Sequence, residues 1–571
     1  MTDTPITQIA RNYALQNAVQ FNGTANEKAV IGKVIAALKK QDISPKKIIP
    51  IVKTIIQEVN QLSLEQQKQQ LQQSAPELLV KEKKVRDFSL PPLQYAEEGK
   101  VVTRFPPEPN GYLHIGHAKA AFVDYEYAKI YDGIFILRFD DTNPENAHHK
   151  FYEVQQQDLQ WLGITWDKQY NTSDNIPKHY KLAEQLITQN NAYICTCKPA
   201  DIKDGRFNQR SCTCRSQQSG ETLDLWKKLL SSGDMKGAIL RLKANMNSAN
   251  TAMRDPTLFR VIEKEHPLQG AAYRVWPTYD FTGAIEDSIS GVTHPFRTKE
   301  YELRDEVYYY ILTLLNLRKP HLMEFSRLSI EGMPVSKRKI KPLIEQQLVT
   351  GYDDIRLPTI RGLQKRGIMA QAIKQFVFSQ GISKVESTVD FSVVESYNRK
   401  LLDPQAKRYY FVSNPIQLQV INAPKTNTKL KLHPTTDLGE RTIQTESTFY
   451  IPKEDIQEMK PGDIFRLKGL YNVKVKTINT VVTAIYEGEE LISDTKKIQW
   501  TTTDYIKMTL YIPHLLFTDD QYNPKSLTTI EGYAEQAIKD IPDGEIVQFE
   551  RVGFARIEKN NQQIIGYVSH K

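Results

Sequence analysis

Lys100-Val-Val-Thr-Arg-Phe-Pro-Pro-Glu-Pro-Asn-Gly-Tyr-Leu-His-Ile-Gly-His117 is a β-rich run, a turn-rich loop and the start of a helix. The first six residues favour a strand. Pro106 to Gly111 cannot continue it. Beyond His117, Ala118, Ala121, Phe122, Tyr125 and Ala128 recur at helical spacing. Ile134-Phe-Ile-Leu-Arg-Phe139 then predicts a second strand, ending at Asp140-Asp141. Strand, loop, helix and strand make a unit whose natural product is a parallel sheet. Ligands of such sheets sit at the carboxyl ends of the strands, where the loop and the Asp pair both fall.

Outward from this unit the texture changes twice. Upstream, Val30, Ile31, Val34, Ile35 and Leu38, and Ile48, Ile49, Ile51, Val52, Ile55 and Ile56, predict a helical module over 1–80. The Gln-rich run Gln66 to Gln73 reads as a solvated helical face, and the charged segment 81–99 as a linker. Downstream, over 405–571, runs such as Ile416-Gln-Leu-Gln-Val-Ile421, Asn472-Val-Lys-Val-Lys476 and Ile506-Lys-Met-Thr-Leu510 alternate apolar with polar residues. Turn signals at Pro461-Gly-Asp463 and Pro542-Asp-Gly544 punctuate them, which predicts two small antiparallel β-barrels.

The chain has 571 residues, 40% apolar and 25% charged, so several folded units are expected and extensive disorder is not. The least polar stretch, Tyr308 to Leu317, is stopped by Arg318 after ten residues, which excludes a membrane helix of ordinary length. The start, Met1-Thr-Asp-Thr-Pro-Ile6, has neither a basic beginning nor an apolar block, which argues against secretion and for the cytoplasm. Lys plus Arg number 75 against 67 Asp plus Glu, a net charge of +8 that permits a polyanionic partner.

All four cysteines, Cys195, Cys197, Cys212 and Cys214, fall in one 20-residue window. Four soft thiolates are what a tetrahedral structural zinc site needs. Two disulfides are the alternative, against which a reducing compartment argues. His114-Ile-Gly-His117 places two imidazoles on one side of a helix N-terminus, beside backbone N–H groups suited to phosphate. Gly116 there would let a flat ring approach the backbone. A His pair alone is more often a satisfied structural feature or a metal ligand than a phosphate site. Far downstream, Pro334-Val-Ser-Lys-Arg-Lys339 forms a basic loop whose Lys337 can reach a triphosphate.

Together these stretches resemble a known family. Arg104 to His117 resembles the first signature of class I aminoacyl-tRNA synthetases, in the form of the glutamyl/glutaminyl subgroup. Pro334-Val-Ser-Lys-Arg338 resembles the second signature, Lys-Met-Ser-Lys-Ser, keeping Ser336-Lys337 while departing at three of its five positions. Leu137-Arg-Phe-Asp-Asp-Thr-Asn-Pro144, Val275-Trp-Pro-Thr-Tyr-Asp-Phe281, Gly291-Val-Thr-His294, Ser326-Arg-Leu328 and Tyr352-Asp-Asp-Ile-Arg-Leu-Pro-Thr359 also match the subgroup, with Ile355 where Pro is usual. The helical start and β-rich end resemble its archaeal-type glutamyl members.

The resemblance implies a multidomain α/β plus β protein. A Rossmann-like catalytic domain would be split over 100–190 and 270–330. An acceptor-end-binding insertion carrying the four-cysteine site would span 191–269, and the signature loop and a helical connecting domain 331–404. It implies ATP-dependent formation of glutamyl-adenylate, with Mg²⁺, and transfer to the terminal adenosine of tRNA(Glu); charging of tRNA(Gln) as well stays open. His114, His117 and Lys337 would act on the phosphates. Glu108, Pro109, Asn110, Gly116, Lys119, Thr298, Arg327, Leu328 and Ser336 would shape the ATP site. Asp140 would take the α-amino group and Tyr279 would line the L-glutamate pocket.

Arg297 aligns where glutamyl enzymes carry Arg and glutaminyl enzymes a small neutral residue, and a fixed guanidinium suits a γ-carboxylate. Arg104 would supply a second cation. A surface ion pair is the other reading of Arg297. Arg361, Lys365, Arg366, Arg399, Lys400, Lys407 and Arg408 would follow tRNA phosphates or form a solvated face. A glutaminyl enzyme and a synthetase-like RNA-binding protein that charges nothing are the competing functions. A monomer is the default.

Overall fold

The computed structural model describes residues 5–21, 23–38, 45–78, 90–231, 235–560 and 563–571. The chain divides into two compact units, Met1–Asp87 and Phe88–Lys571.

The first unit is a bundle of α1 (Pro5–Gln20), α2 (Glu27–Leu38), α3 (Pro45–Asn60) and α4 (Leu64–Ser74). Its core joins Ala10, Ala14 and Ala18 to Val30, Val34, Ile48, Val52, Ile55, Val59 and Leu71. These are positions one helical turn apart, as the periodicity predicts. The side chain of Leu38, expected on the same stripe, lies outside the described residues. Helix α4 begins with a reciprocal cap between Ser63 and Gln66 and runs through the Gln-rich segment. That segment is not wholly solvated. Gln67 is fully buried, and its amide donates to the carbonyls of Gly23, Val59 and Leu62 at 2.8, 2.9 and 3.1 Å. A buried amide is stable only with such partners.

Of the predicted linker, 81–89 lies outside the described residues. Residues 90–99 belong to the second unit and pack against its first strand and helix. Leu93 is buried among Val101, Val123, Tyr127, Phe296 and Phe325, and its N–H donates to the Tyr131 hydroxyl.

The second unit begins with β1 (Val102–Phe105), α5 (Ile115–Ile130), β2 (Ile134–Phe139), α6 (His149–Trp161) and β3 (Lys168–Asn171). The three strands form a parallel sheet in the order β1-β2-β3. The opposite edge of β1 is met by a later segment: the N–H groups of Thr293 and His294 both donate to Val102 O.

Helix α7 (Ile176–Thr188) leads to an antiparallel sheet in the order β4-β5-β6-β7, formed by β4 (Ala192–Cys195), β5 (Ile239–Leu242), β6 (Thr257–Val261) and β7 (Val275–Pro277). It carries α8 (Pro199–Phe207) and α9 (Ser219–Ser231) between its first two strands. The chain then returns through α10 (Tyr279–Ile289), β8 (Phe296–Thr298), α11 (Asp305–Leu314), β9 (Met323–Phe325), β10 (Leu328–Ile330) and α12 (Lys337–Glu345). Strand β8 pairs in parallel with β9.

The last third is two barrel-like sheets with separate cores. A six-stranded sheet encloses Leu418, Phe449, Phe465, Val473 and Trp500, and a seven-stranded sheet encloses Met508, Leu510, Val547, Phe549 and Ile557. Alternation located the strands but not their directions. Both sheets are mixed: 417–421 pairs in parallel with 481–485, and 508–511 with 564–567. A pattern with period two is the same in either direction, so the all-antiparallel expectation is corrected here.

The first parallel pair depends on Gly133. Its N–H closes α5 onto Ala128 O at 2.7 Å, and the next residue, Ile134, donates to Val101 O at 2.9 Å. A Cβ at Gly133 would stand 2.1 Å from Val101 O, a backbone atom that cannot swing aside. Gly133→Ala is expected to destabilise the second unit by about 1–3 kcal/mol or more. A lowered urea midpoint with an unchanged slope checks this.

Candidate active site

The loop 106–111, between β1 and α5, is held from below. Buried Gln155 on α6 donates through Nε2 to Glu108 O at 3.0 Å and Gly111 O at 2.8 Å. Asp140 N–H donates to Pro107 O, and His148 N–H to Pro109 O, each at 3.0 Å. The Glu108 carboxylate accepts from the amides of Asn110 and Asn146. Burial raises its pKa, and those two amides with Lys337 oppose the rise.

His114 is the N-cap of α5. Its Nδ1 accepts from Gly116 N–H at 3.1 Å, and His117 Nδ1 accepts from His114 N–H at 3.3 Å. An Nδ1 that accepts carries no proton, so each neutral ring bears its proton on Nε2. The rings stack with centroids 3.8 Å apart. Burial is the main cause that lowers both pKa values, His117 to about 4, with Arg327 adding to the effect. At neutral pH the pair is therefore two uncharged donors.

Two expectations change here. The N–H groups of Ile115 and Gly116 are already taken, by Pro358 O at 2.9 Å and by His114. An anion at this helix start would therefore meet imidazole Nε2–H groups before those amides. The space over Gly116 belongs to His114, whose Cε1 would lie 2.9 Å from a Cβ there.

Lys337, the first residue of α12 after Ser336 at its N-cap, donates from Nζ to Asn110 O at 2.6 Å. The two distant basic and histidine-bearing stretches thus touch. Lys119 is buried, and its Nζ donates to Ser326 O at 2.8 Å, with burial lowering its pKa to about 8. It anchors the segment of Arg327, which pairs with Glu300 at 2.9 Å, and Leu328, which is buried. Thr298 is half-buried at the end of β8.

Beside the loop lies a second cluster. Asp140 Oδ1 accepts from Arg138 Nε at 3.0 Å and Thr172 Oγ1 at 2.8 Å, while its buried Oδ2 has no partner among the described residues. Arg297, 6% exposed, pairs with Asp305 and lies over the rings of Tyr301 and Tyr308, at 5.9 and 5.2 Å. Its Nε is likewise unpartnered among the described residues. It is not a surface ion pair. Arg104 is buried against Asp287. Tyr279 stands in the field of Arg104, Arg297 and Asp140; burial raises its pKa, so it stays a neutral phenol. The four residues expected around an amino acid therefore act on one another, with a carboxylate oxygen and a guanidinium nitrogen left over.

Sequence reasoning missed Asp287, Arg138, Tyr308 and Gln155. A signal was present for two of them. Asp287 follows Tyr279 and Gly283 by two and one helical turns on α10, and Arg138 interrupts the apolar strand β2.

The four cysteines converge where β4 ends and a short turn, Thr213–Ser216, follows α8. Their Sγ atoms all lie within 4.8 Å of one another, with Cys195–Cys212 at 3.9 Å and Cys197–Cys214 at 3.8 Å. No S–S bond joins any two of the four, and the arrangement is that of a thiolate cluster rather than of two disulfides. Zinc–thiolate bonds of about 2.3 Å would set a tetrahedral S···S edge of about 3.8 Å, so the donor set fits zinc.

Most of the basic residues expected to follow phosphates have protein partners. Arg361 pairs with Asp158, Lys365 with Asp353, Arg366 with Glu395, Lys407 with Glu545 and Arg408 with Asp403, and Arg399 donates to Lys571 O. Each of these therefore has a partner within the fold, though Arg361, Lys365, Lys407 and Arg408 keep part of their side chains in solvent. Among the described residues, no helix is long and apolar enough to cross a membrane.

Comparison with known proteins agrees with this layout. The family described as "tRNA synthetases class I (E and Q), catalytic domain" matches residues 100–404. Two families described as "tRNA synthetases class I (E and Q), anti-codon binding domain" match 406–488 and 497–558. A glutamate–tRNA ligase of Nitrosopumilus maritimus is 42% identical over 98% of this chain and 99% of its own. One from Cenarchaeum symbiosum is 40% identical over 97% and 98%, and one from Pyrococcus furiosus 39% identical over 99% and 100%.

The protonation assignment is open to direct measurement. Nitrogen-15 spectra of the histidine rings should show His117 neutral, with its proton on Nε2, down to about pH 5, and charging near pH 4. A midpoint near 6.5 for this ring would contradict the buried, hydrogen-bonded pair.

Proposed function

The chain belongs to the class I tRNA synthetases of the glutamyl and glutaminyl group, and from that we infer that it is a glutamate–tRNA ligase. Similarity to curated glutamate–tRNA ligases along nearly the whole chain carries this reading, and the pocket geometry supports it. The proposed reaction joins the α-carboxylate of L-glutamate to the α-phosphate of ATP, releases diphosphate, and passes the acyl group to the 3′-terminal adenosine of tRNA(Glu). The enzyme would act as a cytoplasmic monomer.

In this reading the α-phosphate lies against His114 and His117. As negative charge grows on its oxygens, the two Nε2–H groups donate to it. Because the imidazoles are held neutral, they neither give up nor take a proton, and their contribution is preorganised hydrogen bonding. Lys337 exchanges its bond to Asn110 O for the leaving diphosphate, carrying α12 with it. Mg²⁺ accompanying the nucleotide offsets the charge of its phosphates.

The glutamate α-amino group donates to Asp140 Oδ2, the oxygen that lacks a partner among the described residues. Its γ-carboxylate meets Arg297 and Arg104 beside the Tyr279 ring. Glutamine would offer those desolvated cations no negative charge beyond the one carboxylate each already has, Asp305 for Arg297 and Asp287 for Arg104, a penalty of about 2–5 kcal/mol.

Cys195, Cys197, Cys212 and Cys214 would hold one zinc ion, closing the loop after β4 onto the turn before α9. With four thiolates the ion has no open position and supplies structure only. The sheet that carries it is proposed to receive the tRNA acceptor end, and the two barrel-like sheets the anticodon.

Acylation of purified tRNA(Glu) and tRNA(Gln) with labelled glutamate and glutamine tests the reading. Glutamate should be transferred to tRNA(Glu); transfer to tRNA(Gln) as well would mark a non-discriminating enzyme. Transfer of glutamine, or of neither amino acid, would refute it. Arg297→Cys should lower kcat/KM for glutamate at least about thirtyfold, the lower end of that penalty; an unchanged preference over glutamine would remove Arg297 from the selectivity. Metal analysis of reduced protein should find one zinc per chain, lost together with thermal stability in Cys214→Ser.

A further inference from the structure

Asp287, on α10, is fully buried, and neither the signatures nor the family matches give it a role. Its carboxylate accepts four hydrogen bonds. Oδ1 takes Arg104 Nε at 3.0 Å and Arg138 Nη1 at 2.7 Å, and Oδ2 takes Arg104 Nη2 at 3.2 Å and the Tyr308 hydroxyl at 3.1 Å. Each donor belongs to a residue that the proposed glutamate site uses directly or through one neighbour. Arg104 is one of the two cations for the γ-carboxylate. Arg138 uses its Nε to hold Asp140 Oδ1 at 3.0 Å. Tyr308 presents its ring to the Arg297 guanidinium at 5.2 Å. One carboxylate therefore stands a single residue behind both ends of the proposed substrate.

Charge makes the arrangement obligatory. Arg104 and Arg138 are both buried and repel each other. Burial alone would raise the Asp287 pKa, yet the two guanidinium groups overcome that and hold it below the ordinary carboxylate value. It is thus an anion throughout the working pH range. Without that anion the two cations would separate, and Asp140 would move with Arg138. The distance between the amino-group site and the carboxylate sites would then no longer be fixed.

We propose that Asp287 is a positioning residue for glutamate, setting the spacing between Asp140 at the α-amino end and Arg104 and Arg297 at the γ-carboxylate end. This rests on the glutamate–tRNA ligase reading. The phosphate-binding loop shares one bond with this cluster, Asp140 N–H to Pro107 O, but is held chiefly by others, those of Gln155, Pro358 and His148, so loss of Asp287 should disturb it far less than the glutamate site.

Steady-state aminoacylation of tRNA(Glu) by the full chain separates the two effects. Asp287→Asn keeps the shape but removes the charge and turns an amide donor toward the guanidinium groups. It should raise KM for glutamate about tenfold or more while KM for ATP stays within about twofold. Tyr308→Phe, which deletes one bond and leaves the ion pairs, should raise KM for glutamate by about two- to fivefold, again with KM for ATP unmoved. Melting curves report whether each variant folds. Should Asp287→Asn not fold, Tyr308→Phe decides alone. A folded Asp287→Asn with unchanged KM for glutamate, or with both KM values raised equally, overturns the proposal, and so does Tyr308→Phe without effect. If the wild-type chain itself transfers no glutamate, the ligase reading falls first and independently of Asp287.

Discussion

Two guanidinium groups, Arg104 and Arg138, are buried side by side beneath the carboxyl ends of β1 and β2. Such a pair exists in a folded protein only if an anion lies between them and the remaining donors find acceptors. Asp287 is that anion, and it comes from α10, on the far side of the antiparallel sheet in sequence. The ion cluster therefore ties the two parts of the parallel fold together, as do the bonds from Thr293 and His294 to Val102. The antiparallel sheet lies between the two segments that this cluster joins, and Tyr279, at the start of α10, stands in the field of Asp140.

The site divides into a charged part and a neutral part. Around Asp140, Arg104 and Arg297 the chemistry is that of fixed ions, suited to a substrate whose ends carry opposite charges. Around His114 and His117 it is the reverse. Burial and the capping bonds keep both imidazoles neutral, so they offer donors without adding a cation next to Arg327. A phosphate would then find most of its positive charge in Lys337 and Arg327, which are exposed or half-exposed, while the buried pair supplies direction.

Much of this was legible in the sequence because it depends on local pattern. The strand, loop and helix from Lys100 to His117 have a period that changes from two to 3.6 within a few residues, and the four cysteines stand in one window. The rest depended on contacts between distant segments. Nothing in the spacing of Ile115 reveals that Pro358 takes its N–H, or that the ring over Gly116 is the neighbouring histidine. Arg361 and Lys407 looked like part of a phosphate track because their acidic partners, Asp158 and Glu545, lie far away in the chain. Strand direction in the last third was hidden for the same reason. Asp287 was quoted in no motif, yet the two buried cations require it.

The most direct measurement is a crystal structure with a non-hydrolysable glutamyl-adenylate analogue. The account predicts the α-amino group on Asp140 Oδ2, the γ-carboxylate on Arg297 and Arg104, and the phosphate mimic on Nε2 of His114 and His117. A γ-carboxylate turned away from both guanidinium groups, or an amino group held elsewhere than Asp140, would contradict it.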